Sequence, residues 1–257
     1  MDSFLTANYH THTTRCQHAY NTEREYIETA IEMGIRKLGF SDHIPCPFKD
    51  GYVSGIRMTM GQAPEYVACI RKLAQEYASD IKIYVGFEAE YIPEFYKEQR
   101  LMVHKLGVDY MIMGQHFWRS EQHGPYSGTK TDDEGRIREY VDSIIEGMET
   151  GSYKYLAHPD LINYCGLDSV YEWEMTRLCK ALKEMDIPLE INLLGIGERK
   201  HYPDVDRFWS IPAEIGNKVI LGLDAHCTSH LKNVDSYKKS IEIVNKYTLN
   251  LVDDIGL

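Results

Sequence analysis

The chain has 257 residues, of which 43% are hydrophobic, and a formal net charge of -11. This length suits one large α/β domain or two small ones, and no apolar run approaches the roughly 20 residues that cross a bilayer. The acidic balance argues against general nucleic-acid binding, but it permits a small phosphorylated substrate at a locally positive site. The first residues lack the basic and apolar regions of a signal peptide, and the six cysteines form no CxxC pair. We therefore expect a cytoplasmic protein with no membrane partner and no disulfide framework.

Short β-like runs alternate with longer helical ones along the chain. The predicted strands are Ala7–Thr13, Lys37–Ser41, Ile81–Tyr91, Tyr110–Phe117, Tyr155–His158, Pro188–Leu194 and Val219–Asp224. Most are apolar and rich in β-branched or aromatic residues, which is typical of strands buried on both faces of a parallel sheet. Seven strands in βα alternation predict an α/β fold with a closed or nearly closed barrel, and a doubly wound open sheet is the alternative.

Helical periodicity occupies the segments between the strands. The spacing of Thr22 and Glu25 is that of a capping box, and it opens a helix that runs to Met33. The other predicted helices are Pro64–Ala78, Glu94–Leu106, Asp133–Thr150, Ser169–Met185 and Val234–Tyr247. Two longer loops, Pro45–Ala63 and Phe117–Thr131, follow strands, so we expect them at the C-terminal rim, where barrel enzymes place their lids.

Most of the eleven histidines lie at or just after the predicted strand ends, namely His10, His12, His18, His43, His116, His158 and His226. The carboxylates that share these positions are Asp42, Glu88, Glu90, Asp160 and Asp224. Residues at i and i+2 of a strand point to the same face, and parallel strands bring their carboxyl ends to one rim. A lone histidine there is more often a hydrogen-bonded polar residue than a ligand. The conjunction indicates a site for divalent Zn, Mn or Fe, because burying so many ionisable groups without metals would be costly.

The order of these motifs resembles that of the PHP (polymerase and histidinol phosphatase) superfamily over nearly the whole chain. The motifs are His10-Thr11-His12 with His18, then Asp42-His43, Gly86-Phe87-Glu88, His116, His158 and Asp224-Ala225-His226. The run from Glu190 to Arg199, followed by His201-Tyr202-Pro203, is similar to a segment of the stand-alone histidinol-phosphatases. The resemblance implies a distorted (β/α)7 barrel and a single PHP phosphoesterase domain over residues 1–257.

The resemblance also implies a cluster of two to three divalent ions. The first ion would be bound by His10, His12, Glu88 and Asp224. The second would share Glu88 and be bound by His116 and His158. The third would be bound by His18, His43 and His226. Glu90 is a same-face alternative to Glu88 as the bridging ligand, and Arg199 aligns with an arginine that contacts substrate phosphate in the family.

The activity that the resemblance implies is hydrolysis of L-histidinol phosphate to L-histidinol and phosphate in histidine biosynthesis. Two ions sharing Glu88 would lower the pKa of a bridging water, and Arg199 would stabilise charge on the phosphoryl oxygens. The predicted catalytic residues are Glu88, Asp224, Arg199 and Asp42. The predicted substrate contacts are Arg199, Asp160, Glu90 and Tyr202. The leaving-group acid stays open among Asp42, Asp160, Glu90 and a bound water, and the alternative role of Asp42 and Asp160 is to orient a ligating imidazole.

Other functions stay open at this point. A PHP phosphatase could instead act on a nucleotide or a phosphotyrosine. A metal-dependent amidohydrolase would usually carry a carbamylated lysine on a mid-chain strand, and no lysine is so placed. A non-enzymatic metal-binding or polymerase-regulatory module is disfavoured because every expected ligand is present. An aromatic wall for an imidazole group could come from Tyr91, Phe117, Trp118 and Tyr202, and the sequence leaves a homodimer open.

Overall fold

Parallel β-strands form the frame of the chain in a computed structural model that describes residues 4–198 and 205–257. One sheet has the order β1-β2-β3-β4, from Ala7–Asn8, Lys37–His43, Lys82–Ala89 and Tyr110–Met113. The other has the order β5-β6-β7, from Leu189–Asn192, Lys218–Gly222 and Asn250–Leu251. Leu156 pairs with Met113 on one side and Leu189 on the other, while Thr11 pairs with Ala225. These bridges join the two sheets into a curled, distorted parallel barrel, which confirms the predicted fold class.

The helices of the described residues surround this barrel. They are α1 Glu23–Glu32, α2 Ala63–Glu76, α3 Pro93–Leu106, α4 Glu134–Glu149, α5 Asp168–Glu184, α6 Leu193–Glu198, α7 Val205–Ile215, α8 Thr228–Leu231 and α9 Val234–Tyr247. The capping box of Thr22 and Glu25 is formed as predicted. The six predicted helices are confirmed to within two residues at each end, whereas α6, α7 and α8 were not predicted. In the described residues, no helix combines the length and the apolar character that a bilayer span requires.

Three of the predicted strands are wrong in extent, one of them Tyr110–Phe117, which ends at Met113. Tyr155–His158 is reduced to the single bridge at Leu156, and the seventh strand is the short β7 near the C-terminus. The predicted strand over Ala7–Thr13 is regular only at Ala7–Asn8. Beyond that point the Asn8 side chain donates to the carbonyl of His10 (3.1 Å) and accepts from the amide of Leu223 (2.9 Å). The Asn8 side chain thus replaces part of the hydrogen bonding between strands, just before His10, the first predicted ligand.

Four tyrosines, together with smaller aliphatic residues, fill the lower half of the barrel. Tyr9, Tyr84, Tyr110 and Tyr155 are buried there, and the Tyr110 hydroxyl donates to the carbonyl of Tyr9 (2.7 Å). Gly86 makes room for the Tyr110 ring, since a Cβ there would lie 2.5 Å from it. Packing of this kind closes the bottom of the barrel, so the open end lies at the carboxyl ends of the strands.

Candidate metal centre

A cavity of about 540 Å³ opens at the carboxyl ends of the strands. Seven of the nine predicted ligands line it, namely His18, His43, Glu88, His116, His158, Asp224 and His226. The other two, His10 and His12, are fully buried directly behind Glu88 and Asp224. The structure therefore brings all nine predicted ligands together, although they come from seven separate places along the chain.

Glu88, at the end of β3, lies at the centre of this group. Its Oε1 is 2.8 Å from His158 Nε2, 3.3 Å from His116 Nε2 and 3.5 Å from His10 Nε2. Its Oε2 is 3.1 Å from His43 Nδ1 and 3.5 Å from His12 Nε2. Gly114, directly after β4, leaves room for this carboxylate, since a Cβ at Gly114 would lie 2.0 Å from Glu88 Oε1. Glu88 is the carboxylate that can bridge more than one ion.

Asp224 is the second carboxylate of the cluster. Its Oδ1 lies 3.2 Å from His12 Nε2, 3.4 Å from His10 Nε2 and 3.4 Å from His226 Nδ1. The backbone at Asp224 has φ +49°, and that at His158 has φ +30°. Positive φ is uncommon for residues with a side chain, and such strained positions cluster at functional sites. Both residues are thus held in orientations that the local sequence does not favour.

His18, His43 and His226 form an outer group at the mouth of the cavity. His18 follows the 3₁₀ helix Thr14–Cys16, and its Nε2 lies 3.1 Å from Nε2 of His226. Nitrogen atoms of all three imidazoles lie within 4.8 Å of one another. Atoms of His10, His12 and Asp224, of His10, Glu88 and His158, and of His12, His43 and Glu88 meet the same limit. The geometry therefore offers overlapping sets of three donors, with Glu88 and His12 each belonging to two of the inner sets.

Several buried nitrogen and oxygen atoms in the cluster have no hydrogen-bond partner among the described residues. They are His10 Nε2, both ring nitrogens of His12, His43 Nδ1, His158 Nδ1, Glu88 Oε2 and Asp224 Oδ1. Buried polar atoms are almost always hydrogen-bonded, so a converging set without partners needs an explanation. Imidazole nitrogens and carboxylate oxygens are the donors that Zn, Mn and Fe accept. The residues present fit divalent metal binding.

Charges inside the cluster support the same interpretation. Burial would raise the pKa of Glu88, but His116, His10 and His43 hold that pKa well below its usual range. Burial, reinforced by His12, lowers the pKa of His43 to about 3. The cluster therefore favours the anionic form of Glu88 and the neutral form of His43, which are the forms that coordinate a metal, whereas, against the effect of burial, Glu190, Asp224 and Glu88 raise the pKa of His10.

Asp42 lies behind the cluster rather than on the cavity. Its carboxylate accepts from the amide and hydroxyl of Thr13 and from the amide of His43, and its Oδ1 is 3.6 Å from His12 Nδ1. The side chain is fully buried. This placement favours orientation of His12 over the direct catalytic role that we predicted.

Glu90 is also turned away from the cavity. Arg57 donates to both of its oxygens (2.9 and 3.0 Å), and Glu90 Oε1 accepts from His116 Nδ1 (3.1 Å). Burial would raise the pKa of Glu90, but Arg57 and His116 hold it far below its usual range. The contacts disfavour Glu90 as a substrate contact and as the bridging ligand, because its charge is already neutralised by Arg57. Glu90 instead orients His116.

The remaining predicted substrate contacts divide into two groups. Asp160 is buried and lines a separate small cavity with Asn192 and Trp209, so its position does not support a substrate contact. Arg199 and Tyr202 lie outside the described residues, and their roles stay predictions.

Part of the cavity lining is apolar. The apolar and aromatic residues in it are Ile56, Phe117, Tyr126, Leu161 and Leu194, and Glu198 and His230 also line the cavity. Ile56 and Phe117 come from the two loops that we expected at this rim. Of the other predicted aromatic residues, Tyr91 is buried with its hydroxyl on Glu146 (2.9 Å), and Trp118 lines a different small cavity.

Two buried charges at the site were not predicted as functional. Glu190 on β5 accepts from His10 Nδ1 (2.8 Å), and Arg57 binds Glu90 and Glu121. A charged residue inside the apolar run of β5 could have indicated Glu190. Arg57 has no comparable feature, because its partners lie 33 and 64 residues away in the sequence.

Comparison with known proteins adds independent findings. The family model of the PHP domain matches residues 8–194. A probable histidinol-phosphatase of Deinococcus radiodurans is 30% identical over 234 residues, which are 84% of this chain and 85% of the relative. A probable phosphatase of Clostridium acetobutylicum is 25% identical over 248 residues, 92% of this chain and 85% of the relative. The histidinol phosphate phosphatase of Lactococcus lactis, solved with zinc, L-histidinol and phosphate, has a TM-score of 0.74 and 21% identity, covering 96% of this chain and 95% of that one. At this identity the likeness shows the fold.

Proposed function

The chain belongs to the PHP domain family, and from that premise we propose that it is a metal-dependent phosphomonoesterase that hydrolyses L-histidinol phosphate to L-histidinol and phosphate. The observation that carries the proposal is the Glu88-centred cluster, which opens into a cavity with an apolar wall. A site of about 540 Å³ is in the range that small-molecule ligands occupy. The Deinococcus relative, named as a probable histidinol-phosphatase, supports this substrate among phosphomonoesters.

We assign three ions to the cluster, and zinc is the metal of the Lactococcus complex. The first would be held by His10, His12, Glu88 and Asp224, the second by Glu88, His116 and His158, and the third by His18, His43 and His226. Residues 218–231, which carry Asp224 and His226, lie beyond the segment that the family model matches. Because they complete the cluster, we propose that residues 1–257 form one PHP domain.

Divalent ions bound here would supply a water nucleophile at neutral pH and would neutralise charge on the phosphoryl oxygens. The protein's own part is to fix the donors and to shape a dry cavity. His10 donates from Nδ1 to Glu190, and His116 from Nδ1 to Glu90, so each presents Nε2 to Glu88. Ile56, Phe117 and Tyr126 line the same cavity and offer apolar and aromatic surface on which the imidazole ring of the substrate would pack.

A second candidate is a PHP phosphatase for another phosphomonoester, and the probable phosphatase of Clostridium acetobutylicum favours it. The two candidates share the metal centre and differ in the group that the apolar wall accepts. An apolar wall distinguishes leaving groups by shape and is indifferent to phosphate itself. Substrate preference is therefore the property that separates the candidates.

The test is phosphate release by the zinc-loaded protein from histidinol phosphate, AMP, phosphotyrosine and p-nitrophenyl phosphate. We expect kcat/KM for histidinol phosphate to exceed that for each other ester by about 100-fold or more, because binding of the leaving group contributes to the transition state. Equal turnover of all four esters would overturn the substrate assignment while leaving phosphatase activity standing. No release from any ester, with metal bound, would overturn the proposed function itself.

A further inference from the structure

Glu190 is a fully buried carboxylate that the proposed reaction does not use directly. It lies on β5, behind the cluster, and accepts three hydrogen bonds from three different parts of the chain. The donors are His10 Nδ1 (2.8 Å), the backbone amide of His158 (3.1 Å) and Asn192 Nδ2 (2.9 Å). A carboxylate in a buried strand is costly unless its acceptor positions are filled, and here both oxygens are bonded.

The bond to His10 determines which of its ring nitrogens faces the cluster. An ionised carboxylate can only accept, so His10 Nδ1 carries a proton and Nε2 is the ring nitrogen left to bind an ion. Nε2 lies 3.5 Å from Glu88 Oε1 and 3.4 Å from Asp224 Oδ1. Glu190 thereby fixes which nitrogen of His10 faces the cluster.

Asn192 connects Glu190 to Asp224 by hydrogen bonds. Its Nδ2 donates to Glu190 Oε2 (2.9 Å) and to Asp224 Oδ2 (3.1 Å), while its Oδ1 accepts from the amide of Gly195 (2.8 Å). Asp224 Oδ2 is therefore occupied, and Oδ1 is the oxygen that faces His10 and His12. The hydrogen bond from Asn192 orients the Asp224 carboxylate, and the Asp224 backbone has φ +49°.

Gly222 provides the space that Glu190 requires. It pairs with Asn192 in the register of β5 and β6. A Cβ at Gly222 would lie 1.8 Å from Glu190 Oε1 and 2.5 Å from its carboxyl carbon. Alanine at this position would displace the carboxylate without removing its charge.

We propose that Glu190, with Asn192 and Gly222, positions the metal centre by fixing His10, His158 and Asp224 at once. The inference rests on the proposed metal centre, and it assigns to Glu190 a role through these ligands and no contact with substrate. A carboxylate is required because three donors face it. A glutamine has one accepting oxygen, and its NH₂ group would face at least one of those donors, so that a hydrogen bond would be lost.

The test is zinc affinity, measured by chelator competition on the purified full chain, together with the visible spectrum of the cobalt-loaded protein. Glu190→Gln should weaken zinc binding about 10- to 100-fold and change the cobalt ligand-field bands, because support of ligating groups has effects of this size. Glu174→Gln is the matched control. Glu174 is equally buried and ion-paired with Arg177, but it lies on α5 away from the cluster, so wild-type affinity and spectrum are expected.

Gly222→Ala and Asn192→Ala keep the inference testable if Glu190→Gln does not fold. Gly222→Ala preserves every charge and should still weaken zinc binding about 10-fold or more, and Asn192→Ala should do so less strongly. Wild-type affinity and cobalt spectrum in the folded variants would overturn the role of Glu190. A wild-type chain that binds no metal would instead overturn the proposed function, so the two failures are distinguishable.

Discussion

The inner and outer halves of the candidate metal centre are supported by different groups. Three inner histidines, His10, His12 and His116, have the carboxylates Glu190, Asp42 and Glu90 beside Nδ1. In the outer half, Nδ1 of His18 contacts the carbonyl oxygen of Cys16 (2.6 Å), and Nδ1 of His226 lies nearer to the carbonyl oxygen of Asp224 (3.0 Å) than to its carboxylate (3.4 Å). The inner carboxylates are buried, whereas His18 is exposed at the mouth.

This difference has a chemical consequence. A carboxylate behind an imidazole makes its free nitrogen more basic and fixes the tautomer more firmly than a carbonyl oxygen does. Exposure at the mouth also lets water compete for an ion. We therefore expect the inner half to hold ions tightly, and the outer half to hold one that exchanges and lies nearest the entering phosphate.

The largest expected effect comes from removing Glu88, the residue that we propose both inner ions share. Glu88→Ala should reduce phosphate release by about 1,000-fold or more, since metal-borne charge stabilisation contributes several kcal/mol, and should lower the number of bound ions. Phosphate release and elemental analysis check the two effects together. If Glu88→Ala kept its activity and Glu90→Gln lost it, Glu90 rather than Glu88 would be the bridging ligand.

A second prediction tests how the inner support is itself held. Arg57 is buried between Glu90 and Glu121, so Arg57→Met leaves two buried carboxylates without their partner. Breaking a buried ion pair from one side costs about 3–5 kcal/mol, and we expect the free energy of unfolding in urea to fall by that amount at pH 7. Wild-type Glu90 has a lowered pKa, so its contribution is present above the unfolded-state pKa and is lost as the pH falls through the folded one.

The matched control for Arg57 is an arginine with the same geometry at the surface. Arg24 donates to both oxygens of Glu76 (2.6 and 2.7 Å), but both side chains are exposed, so Arg24→Met should lower the free energy of unfolding far less than Arg57→Met. The double variant Arg57→Met with Glu90→Gln should be more stable than Arg57→Met alone. Equal stabilities of Arg57→Met and Arg24→Met would show that burial adds nothing to the Arg57 contacts.

The contrast between the two halves also explains which features the sequence could predict. Most of the ligands were predictable because they lie at or near the end of a strand, and parallel strands share one rim, whereas His18 follows a 3₁₀ helix and His158 follows a single bridge. The roles of Glu90 and Glu190 were not, because they depend on contacts with residues 33 and 180 positions away, and for Asp42 the sequence left a catalytic and an orienting role open. The strand at Tyr155–His158 failed for a related reason. Its apolar run predicts burial, but only Leu156 has pairing partners on both sides.

The smallest expected effect concerns the outer ion, and it tests the comparison most directly. On titration of the fully loaded chain with a chelator, one ion should leave first, at a free-metal concentration about 10- to 100-fold higher than the others require. His18→Ala should remove that first step and leave the later ones in place, because the His18 ring lies closer to His226 (4.7 Å between centroids) and His43 (5.5 Å) than to the inner residue His12 (6.3 Å). His10→Ala should instead weaken the later steps. Simultaneous loss of all ions in the wild-type chain, or an unchanged first step in His18→Ala, would mean that the carboxylate support of the inner half does not set the order of metal release.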